Sequence, residues 1–392
     1  MPAISNAIDR ISTGVDRQRL LDTAIALMEV PSPTCEAGDV ADRLEELLTE
    51  DGFDVERPTA GWPEAPAVVT RWRAGEGGRT LQFNGHLDTV HLPYVPPRVE
   101  NGVLYGQGAA DMKGGLAAAV EALRVLRDTE MLPDGGVLMT AHDHHEAPWG
   151  DSRQIRTLID EGYVGDGVLI PEYLPDRITI AGRGQAILEI TVRRAGDRVH
   201  EVLRPPDTPD VLEGAAEVIR GLKALNAELV KTEYPYVGSE TAFVGQIHGG
   251  EIFNQAPVVC KISGTRRWVA GRNIPDLERE FFTILNEAAQ RTGTIVYGEF
   301  MVVRDAFSVA EDAALVTAFQ AAHTAATGRT LPFGGKPFVD DGNCFTSLKQ
   351  IPALTHGPAA EGAHTTNERV PVDELVRVAE VYAATAVTFC GD

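Results

Sequence analysis

At 392 residues the chain is longer than one ordinary core accommodates, so two domains are expected. Its 43% hydrophobic and 23% charged residues are typical of a soluble globular protein, and a formal net charge of -22 argues against nucleic acid or an anionic membrane surface as partner. The start "MPAISNAIDRISTG" lacks the apolar core of a secretory signal, and no apolar run is long enough to span a bilayer. Four well-separated cysteines (Cys35, Cys260, Cys344, Cys390) form no CxxC pair and read as reduced thiols, so a cytoplasmic protein is expected.

Apolar spacing at Leu20, Leu21, Ala24, Ile25 and Met28 predicts a helix stopped by Pro31; a second runs through Val40, Leu44, Leu47 and Leu48 to Gly52. Strands "AVVTRW" and "TLQFNGH" come next. Then follow helix "GGLAAAVEALRVLRD", strand "GVLMTAH", helix "SRQIRTLIDEG" and strand "GVLIPE". Strands alternating with helices predict an α/β domain, a mostly parallel sheet with helices on both faces. From Gln185 to Val303 the order becomes strand, helix, two strands, helix, strand, which predicts an inserted α+β unit of ferredoxin-like type. The first pattern resumes with "DAALVTAFQAAHTAAT", "QIPALTHG" and "VDELVRVAEVYAATAV". The expected division is 1–184 and 304–392 for one domain and 185–303 for the insert.

Chemistry-bearing residues gather at predicted strand ends, where α/β proteins collect their ligands. "NGHLDTV" places His86 and Asp88 two apart, on one side of an extended chain, and a carboxylate beside a ligating histidine sets its tautomer. "YGQGAADMKGG" puts Asp111 in a glycine-rich loop before a helix. It has Gly106-x-Gly108 but neither a third glycine nor a Walker lysine-serine pair, so a nucleotide loop fits poorly and an acidic residue bridging two cations fits better. "AHDHHEAPWG" carries His142, Asp143, His144, His145 and Glu146; "LIPEYLP" carries Glu172; "GPAAEGAHTTNERV" carries His364.

"GHLDTV", "YGQGAADMKGG", the glutamate after the third strand, "PE" before the insert and "GAHTTNERV" together resemble the M20 metallopeptidase family, which includes deacetylases, desuccinylases, aminoacylases and carboxypeptidases. The resemblance covers nearly the whole chain. It implies two divalent ions, commonly zinc, with cobalt or manganese as alternatives: His86 and Glu172 on one, Glu146 and His364 on the other, and Asp111 bridging. It also implies that "GDRVH" supplies His200 as oxyanion donor, reaching the neighbouring subunit's site in dimeric members. "GGEIFNQAP" would supply Asn254. Arg267, with Arg266 as the near alternative, would clamp a substrate carboxylate, and "THGP" would bring Gly357 backbone to the substrate. The insert would then be a lid and a homodimer contact.

One departure stands out. The family carries two adjacent glutamates after the third strand, the first a general base and the second a ligand. Aligning "GDSRQIRTLI" through Arg153 makes Glu146 the ligand and puts His145 in the base position; a frame shifted by one would make His144 the base and His145 the ligand. A histidine can take a proton near neutral pH. His145 is therefore expected as base, with an extra-ligand role or redirected chemistry as alternatives. His142 and His144 have no family counterpart; both are expected as packed, hydrogen-bonded histidines. Trp149 either walls a substrate pocket or caps the core. The expected function is dinuclear metal-dependent hydrolysis of an amide in a small carboxylate-bearing molecule, with His145, Asp88 and His200 in the chemistry. The alternatives are hydrolysis of a non-peptide C–N bond and a non-catalytic metal-binding homologue.

Overall fold

The computed structural model describes residues 2–391 apart from Pro133 and Pro148. The chain forms two compact units. The first takes Met1–Ile180, Ser308–Gly335 and Asp340–Asp392; the second takes Ala181–Phe307 and Lys336–Val339.

The first unit is built on a six-stranded sheet of β1 (Val55–Glu56), β2 (Val68–Arg73), β3 (Thr80–His86), β4 (Gly136–His142), β5 (Gly167–Ile170) and, late in the chain, β10 (Ala353–Thr355), in the order β1-β2-β4-β3-β5-β10. β4, β3, β5 and β10 run parallel, while β2 and β1 add an antiparallel margin. The central strands are buried along their length, Thr80 at the start of β3 excepted, as expected of a sheet covered on both faces. Helices α1 (Lys113–Thr129) and α6 (Val372–Cys390) contribute much of the core that holds Leu81, Phe83, Leu116, Leu123, Phe319 and Tyr382. Each such fully buried side chain contributes about 1.5–3 kcal/mol through water exclusion.

Two helices of this unit escape the periodicity reading. Pro2–Gly14 is one, and α5 (Asp341–Lys349) is the other. α5 is rich in Gly, Asn, Thr and Ser, and its start is set by a capping box in which Asp340 accepts the Gly342 N–H at 2.8 Å and Asn343 reaches back to the Asp340 backbone.

The second unit has the order β6 (Gly184–Arg193), α3 (Val211–Leu229), β7 (Thr241–Gly249), β8 (Val259–Trp268), α4 (Ile274–Thr292) and β9 (Ile295–Arg304). Its antiparallel sheet runs β7-β8-β6-β9, and Leu188, Ile190, Val192 and Ile262 of the sheet pack with Val218, Leu222, Phe281 and Leu285 of the two helices. β7 is an edge strand.

Candidate metal centre

The parallel register sets His86 directly beside His142 at the ends of β3 and β4. The neighbouring strand β5 ends at Ile170, and Glu172 follows two residues later. Glu172 is held there by close backbone contacts that only glycine permits. A Cβ on Gly115 of α1 would lie 2.1 Å from the Pro171 carbonyl oxygen, and one on Gly357 would lie 2.4 Å from that of Glu172. Gly357 is thus packed against the backbone of Glu172, and its own carbonyl accepts from Arg377 at 2.8 Å.

The loop after β4 turns inward because Asp88 caps it. The Asp88 carboxylate accepts the backbone N–H of His145 at 3.1 Å and of Glu146 at 2.9 Å. Its relation to His86 differs from the sequence expectation. His86 Nδ1 is closest to the Asp88 backbone carbonyl, at 2.9 Å, with the carboxylate 3.5 Å away. His86 Nε2 then faces Asp111 Oδ1 at 3.0 Å and Glu172 Oε1 at 3.7 Å. The other oxygen of Asp111 lies 3.1 Å from His364 Nε2, and the same nitrogen lies 3.1 Å from Glu146 Oε2. His364 reaches in from a left-handed backbone (φ 60°) unusual for a residue with a side chain. His86, Asp111, Glu146, Glu172 and His364, spread over 279 positions between the first and last, thus meet in one place.

His145 joins them. Its ring stacks on that of His86 with centroids 3.9 Å apart, and its Nε2 is 3.6 Å from Glu172 Oε1. Donor atoms of His86, His145 and Glu172 lie within 4.8 Å of one another, and so do those of His86, Asp111 and Glu146. His144 turns away: its ring packs edge-on against Trp62 at 4.6 Å, and its buried Nδ1 lacks a hydrogen-bond partner among the described residues. That packing disfavours the shifted frame, and His144 is packed without the hydrogen bond expected of it. His142 is hydrogen-bonded as expected, to the Asp143 carbonyl and to Asp341, each at 2.9 Å. Trp149 is half exposed and stacks on His91 at 4.0 Å.

Two carboxylates at the centre escaped the sequence reading. Asp341, the first residue of α5, places Oδ1 3.0 Å from His145 Nδ1. Glu368 accepts the N–H groups of Gly108, Ala110 and Asp111, and so shapes the loop that presents Asp111.

The electrostatics are those of mutually neutralising charges out of water. Burial opposes a proton on His86, yet Asp111, Asp88 and Glu172 outweigh it and hold its pKa well above the ordinary value. Hydrogen bonds to Asp111 and Glu146 push His364 up to about 10. Burial, reinforced by Asp111, lifts Glu172 to about 8. Burial alone would raise Asp88 and Asp111, but their histidine partners pull both down, Asp88 to about 2. Burial also brings Lys113 down to about 7 and Glu368 up to about 7.

A divalent cation pair fits this donor set. Nitrogen and oxygen donors converge on a small volume, and the buried Oε2 of Glu172 has no hydrogen-bond partner among the described residues. The carboxylates that raise the pKa of His86 and His364 would serve divalent cations in the same electrostatic way.

The second unit contains the remaining expected residues. His200 and Asn254 are paired, with the Asn254 amide nitrogen 2.9 Å from His200 Nε2, and His200 Nδ1 accepts the Val202 N–H at 3.4 Å. Arg266 is committed to a buried ion pair with Glu240 at 2.6 Å and a second with Glu280 at 3.2 Å. Arg267 is half-buried, its Nη1 has no hydrogen-bond partner among the described residues, and burial together with the charge of Arg183 holds its pKa below the usual value.

Residues 82–388 match the model of peptidase family M20/M25/M40. The chain is 27% identical to a succinyl-diaminopimelate desuccinylase of Halorhodospira halophila, over 92% of this chain and 96% of that protein. An aminopeptidase PepT from Bacillus cereus shares the fold, with a TM-score of 0.82 at 22% identity over 96% of this chain and 99% of that one. So does an amidase of the hydantoinase/carbamoylase family from Burkholderia multivorans, with a TM-score of 0.62 at 18% identity over 96% of this chain and 98% of that one. The chain belongs to peptidase family M20/M25/M40 and is a metal-dependent amidohydrolase of that type.

Proposed function

We propose that the chain hydrolyses the amide bond of a small carboxylate-bearing substrate, an N-acyl amino acid or a dipeptide, with two divalent ions, zinc in the first instance and cobalt or manganese as alternatives. His86 and Glu172 would hold one ion, Glu146 and His364 the other, with one oxygen of Asp111 toward each. The observation that carries this reading is the placement of Asp111, 3.0 Å from His86 through one oxygen and 3.1 Å from His364 through the other.

When bound, such a pair supplies Lewis acidity toward the carbonyl oxygen and lowers the pKa of water. The chain's own groups do the rest. Asp88 fixes the 145–146 backbone, so that His145 and Glu146 face the centre. His145 takes a proton from the attacking water at Nε2 and returns it to the departing amine. His200 would donate to the developing oxyanion once its Nε2 has turned away from the Asn254 amide nitrogen that it now faces. Arg267 binds the substrate carboxylate through its planar fork, and Gly357 offers backbone beside Glu172. Water adds to the carbonyl carbon, the C–N bond breaks, and carboxylate and amine leave.

We assign residues 185–303 the part of a lid and of a homodimer contact in a cytoplasmic enzyme. Phe243 and Ile247 on the edge strand β7, with Ile252 and Phe253 just after it, are exposed apolar side chains of the kind an interface covers. A second reading, hydrolysis of a non-peptide C–N bond, is favoured by the histidine at the base position. Metal analysis followed by a panel of N-acetyl and N-succinyl amino acids, dipeptides and N-carbamoyl amino acids tests both. Two ions per chain with turnover of the first three groups supports the main reading; turnover of the carbamoyl compounds alone selects the second.

A further inference from the structure

A directed chain of buried hydrogen bonds runs through the sheet to His145. It begins at a donor of fixed sense, the backbone N–H of Gly165, which bonds Gln82 Oε1 at 2.9 Å. The amide of Gln82 must therefore present its nitrogen to Thr140 Oγ1, 2.8 Å away. With its oxygen already accepting, the Thr140 hydroxyl donates to Asn84 Oδ1 at 2.8 Å. That turns the Asn84 amide nitrogen toward Asp341 Oδ2, at 3.1 Å. Asp341 is thus met as an acceptor, and Gln82, Asn84, Thr140 and Asp341 are all wholly buried.

The same carboxylate receives both unusual histidines. His142 has a backbone carbonyl on Nδ1 and Asp341 Oδ2 on Nε2, so both of its nitrogens face acceptors and both carry protons. The ring is then the positive counterpart that keeps a buried carboxylate ionised. His145 Nδ1 faces Asp341 Oδ1 at 3.0 Å, so this nitrogen donates to the carboxylate, whereas Nε2 is 3.6 Å from Glu172 Oε1, beyond hydrogen-bond distance of it. Nε2 is the atom turned toward Glu172.

We propose that Asp341 is the positioning residue of the centre: supported by His142 and by the Gln82–Thr140–Asn84 chain, it holds His145 as the Nδ1–H tautomer with the Nε2 lone pair aimed at the cation pair. A base that must accept a proton at one atom gains from a partner that fixes the other. A histidine replacing a carboxylate base needs such a partner, because imidazole has two tautomers and only one is useful here.

This inference rests on the reading of His145 as an inward-facing group, and its test reads the ring itself. Nitrogen-15 spectra of the zinc-loaded protein, labelled at histidine and assigned by difference against His145→Gln, are expected to show a proton-bearing Nδ1 at His145. An unprotonated Nδ1 there overturns the proposal, whether or not a substrate has been found. Asp341→Asn, folded by circular dichroism and carrying the same zinc content, is expected to lose the Nδ1 proton preference. On any substrate identified, its kcat should fall by about 10–100-fold with KM nearly unchanged. Asp341→Glu, which keeps the charge, should restore part of that loss. An Asp341→Asn protein with wild-type kcat and wild-type nitrogen shifts rejects the proposal. If that variant does not fold, the wild-type spectrum alone decides. Absence of hydrolysis on every substrate, with Nδ1 protonated, would instead count against the hydrolytic reading and leave the tautomer assignment standing.

Discussion

The imidazole of His145 lies flat on that of His86, centroids 3.9 Å apart and planes 10° from parallel. Two rings in that arrangement cannot both carry a charge without repelling across a few ångströms of protein interior. His86 is the one surrounded by Asp111, Asp88 and Glu172, the groups that favour a positive charge or a cation on it. His145 stands at the edge of that cluster with its Nε2 turned toward the centre, 3.6 Å from Glu172 Oε1, the position from which the proposed base would act.

His145→Ala is accordingly expected to lower kcat by about 10²–10⁴-fold, the range general-base removal commonly produces, while the protein still binds two metal equivalents. Elemental analysis of the variant separates this from the alternative role. Loss of one equivalent would make His145 a ligand. His145→Glu, which restores the family's usual residue, should retain hydrolysis and broaden it toward ordinary N-acyl amino acids.

Asp111→Asn should do more damage than any other single ligand change. One carboxylate serves both histidines, at 3.0 and 3.1 Å, so removing its charge weakens both halves of the centre together. Metal content after dialysis should fall below one ion per chain. By contrast, Glu172→Gln should spare the ion assigned to Glu146 and His364, leaving close to one. Equal losses in the two variants would speak against a bridging Asp111.

The shifted pKa values predict how metal affects stability with pH. His364 sits at about 10 against an ordinary 6.5, and Glu172 at about 8 against 4.5. Both are raised, so the stability they give the metal-free fold is fully present below the ordinary values. It is lost as pH climbs through about 8 for Glu172 and about 10 for His364. Cations replace those protons. The rise in melting temperature on adding manganese should therefore be larger at about pH 9 than at about pH 6, where protons compete for the same atoms. A metal increment that shrinks with rising pH would contradict this account of the site.

Gly357→Ala tests the contact that seats Glu172. The added methyl would lie 2.4 Å from the Glu172 carbonyl oxygen and 2.7 Å from that of Pro171, both backbone atoms with no rotamer to yield. Overpacking of this kind costs about 1–3 kcal/mol, readable as a lower denaturant midpoint. Because the displaced backbone belongs to Glu172, metal affinity should drop as well, which a merely destabilised core would not cause.

The centre's ligand-type residues were legible in the sequence because each sits at or just beyond a strand end, or in a loop whose glycines advertise close packing. His86, Glu146 and Glu172 are of the first kind, Asp111 and His364 of the second. The fold was legible for a related reason: buried parallel strands read as unbroken apolar runs, and α1 and α6 as long apolar stripes. What could not be read was who supports whom. Asp341 lies 196 residues from His145 and 199 from His142, and within "VDDGN" it resembles one more acidic residue at a helix start. Glu368 is similarly hidden, 257 residues from the Asp111 amide it receives. Short side-chain contacts between distant segments leave no periodicity. The helix α5 that carries Asp341 was missed for its composition, since Gly, Asn, Thr and Ser do not announce a helix.

Arg266 and Arg267 are neighbours in sequence with opposite fates, and mutating each should show it. Arg266 is buried against Glu240 and Glu280, so Arg266→Ala removes one partner from each, leaves both to Arg272, and should cost about 1–3 kcal/mol of stability. Arg267 has a half-buried guanidinium with an unsatisfied Nη1, pressed by the like charge of Arg183. An incoming carboxylate would relieve both conditions. Arg267→Ala should leave the melting temperature close to wild type and raise KM by about 10–100-fold, the loss of one charge-assisted hydrogen-bonded contact. Its kcat should be nearly unchanged, because the interaction is made equally in ground and transition states. Arg267→Lys keeps the charge without the fork and should fall between the two. If Arg267→Ala left KM unmoved on every carboxylate-bearing substrate turned over, the clamp would have to be sought on another side chain.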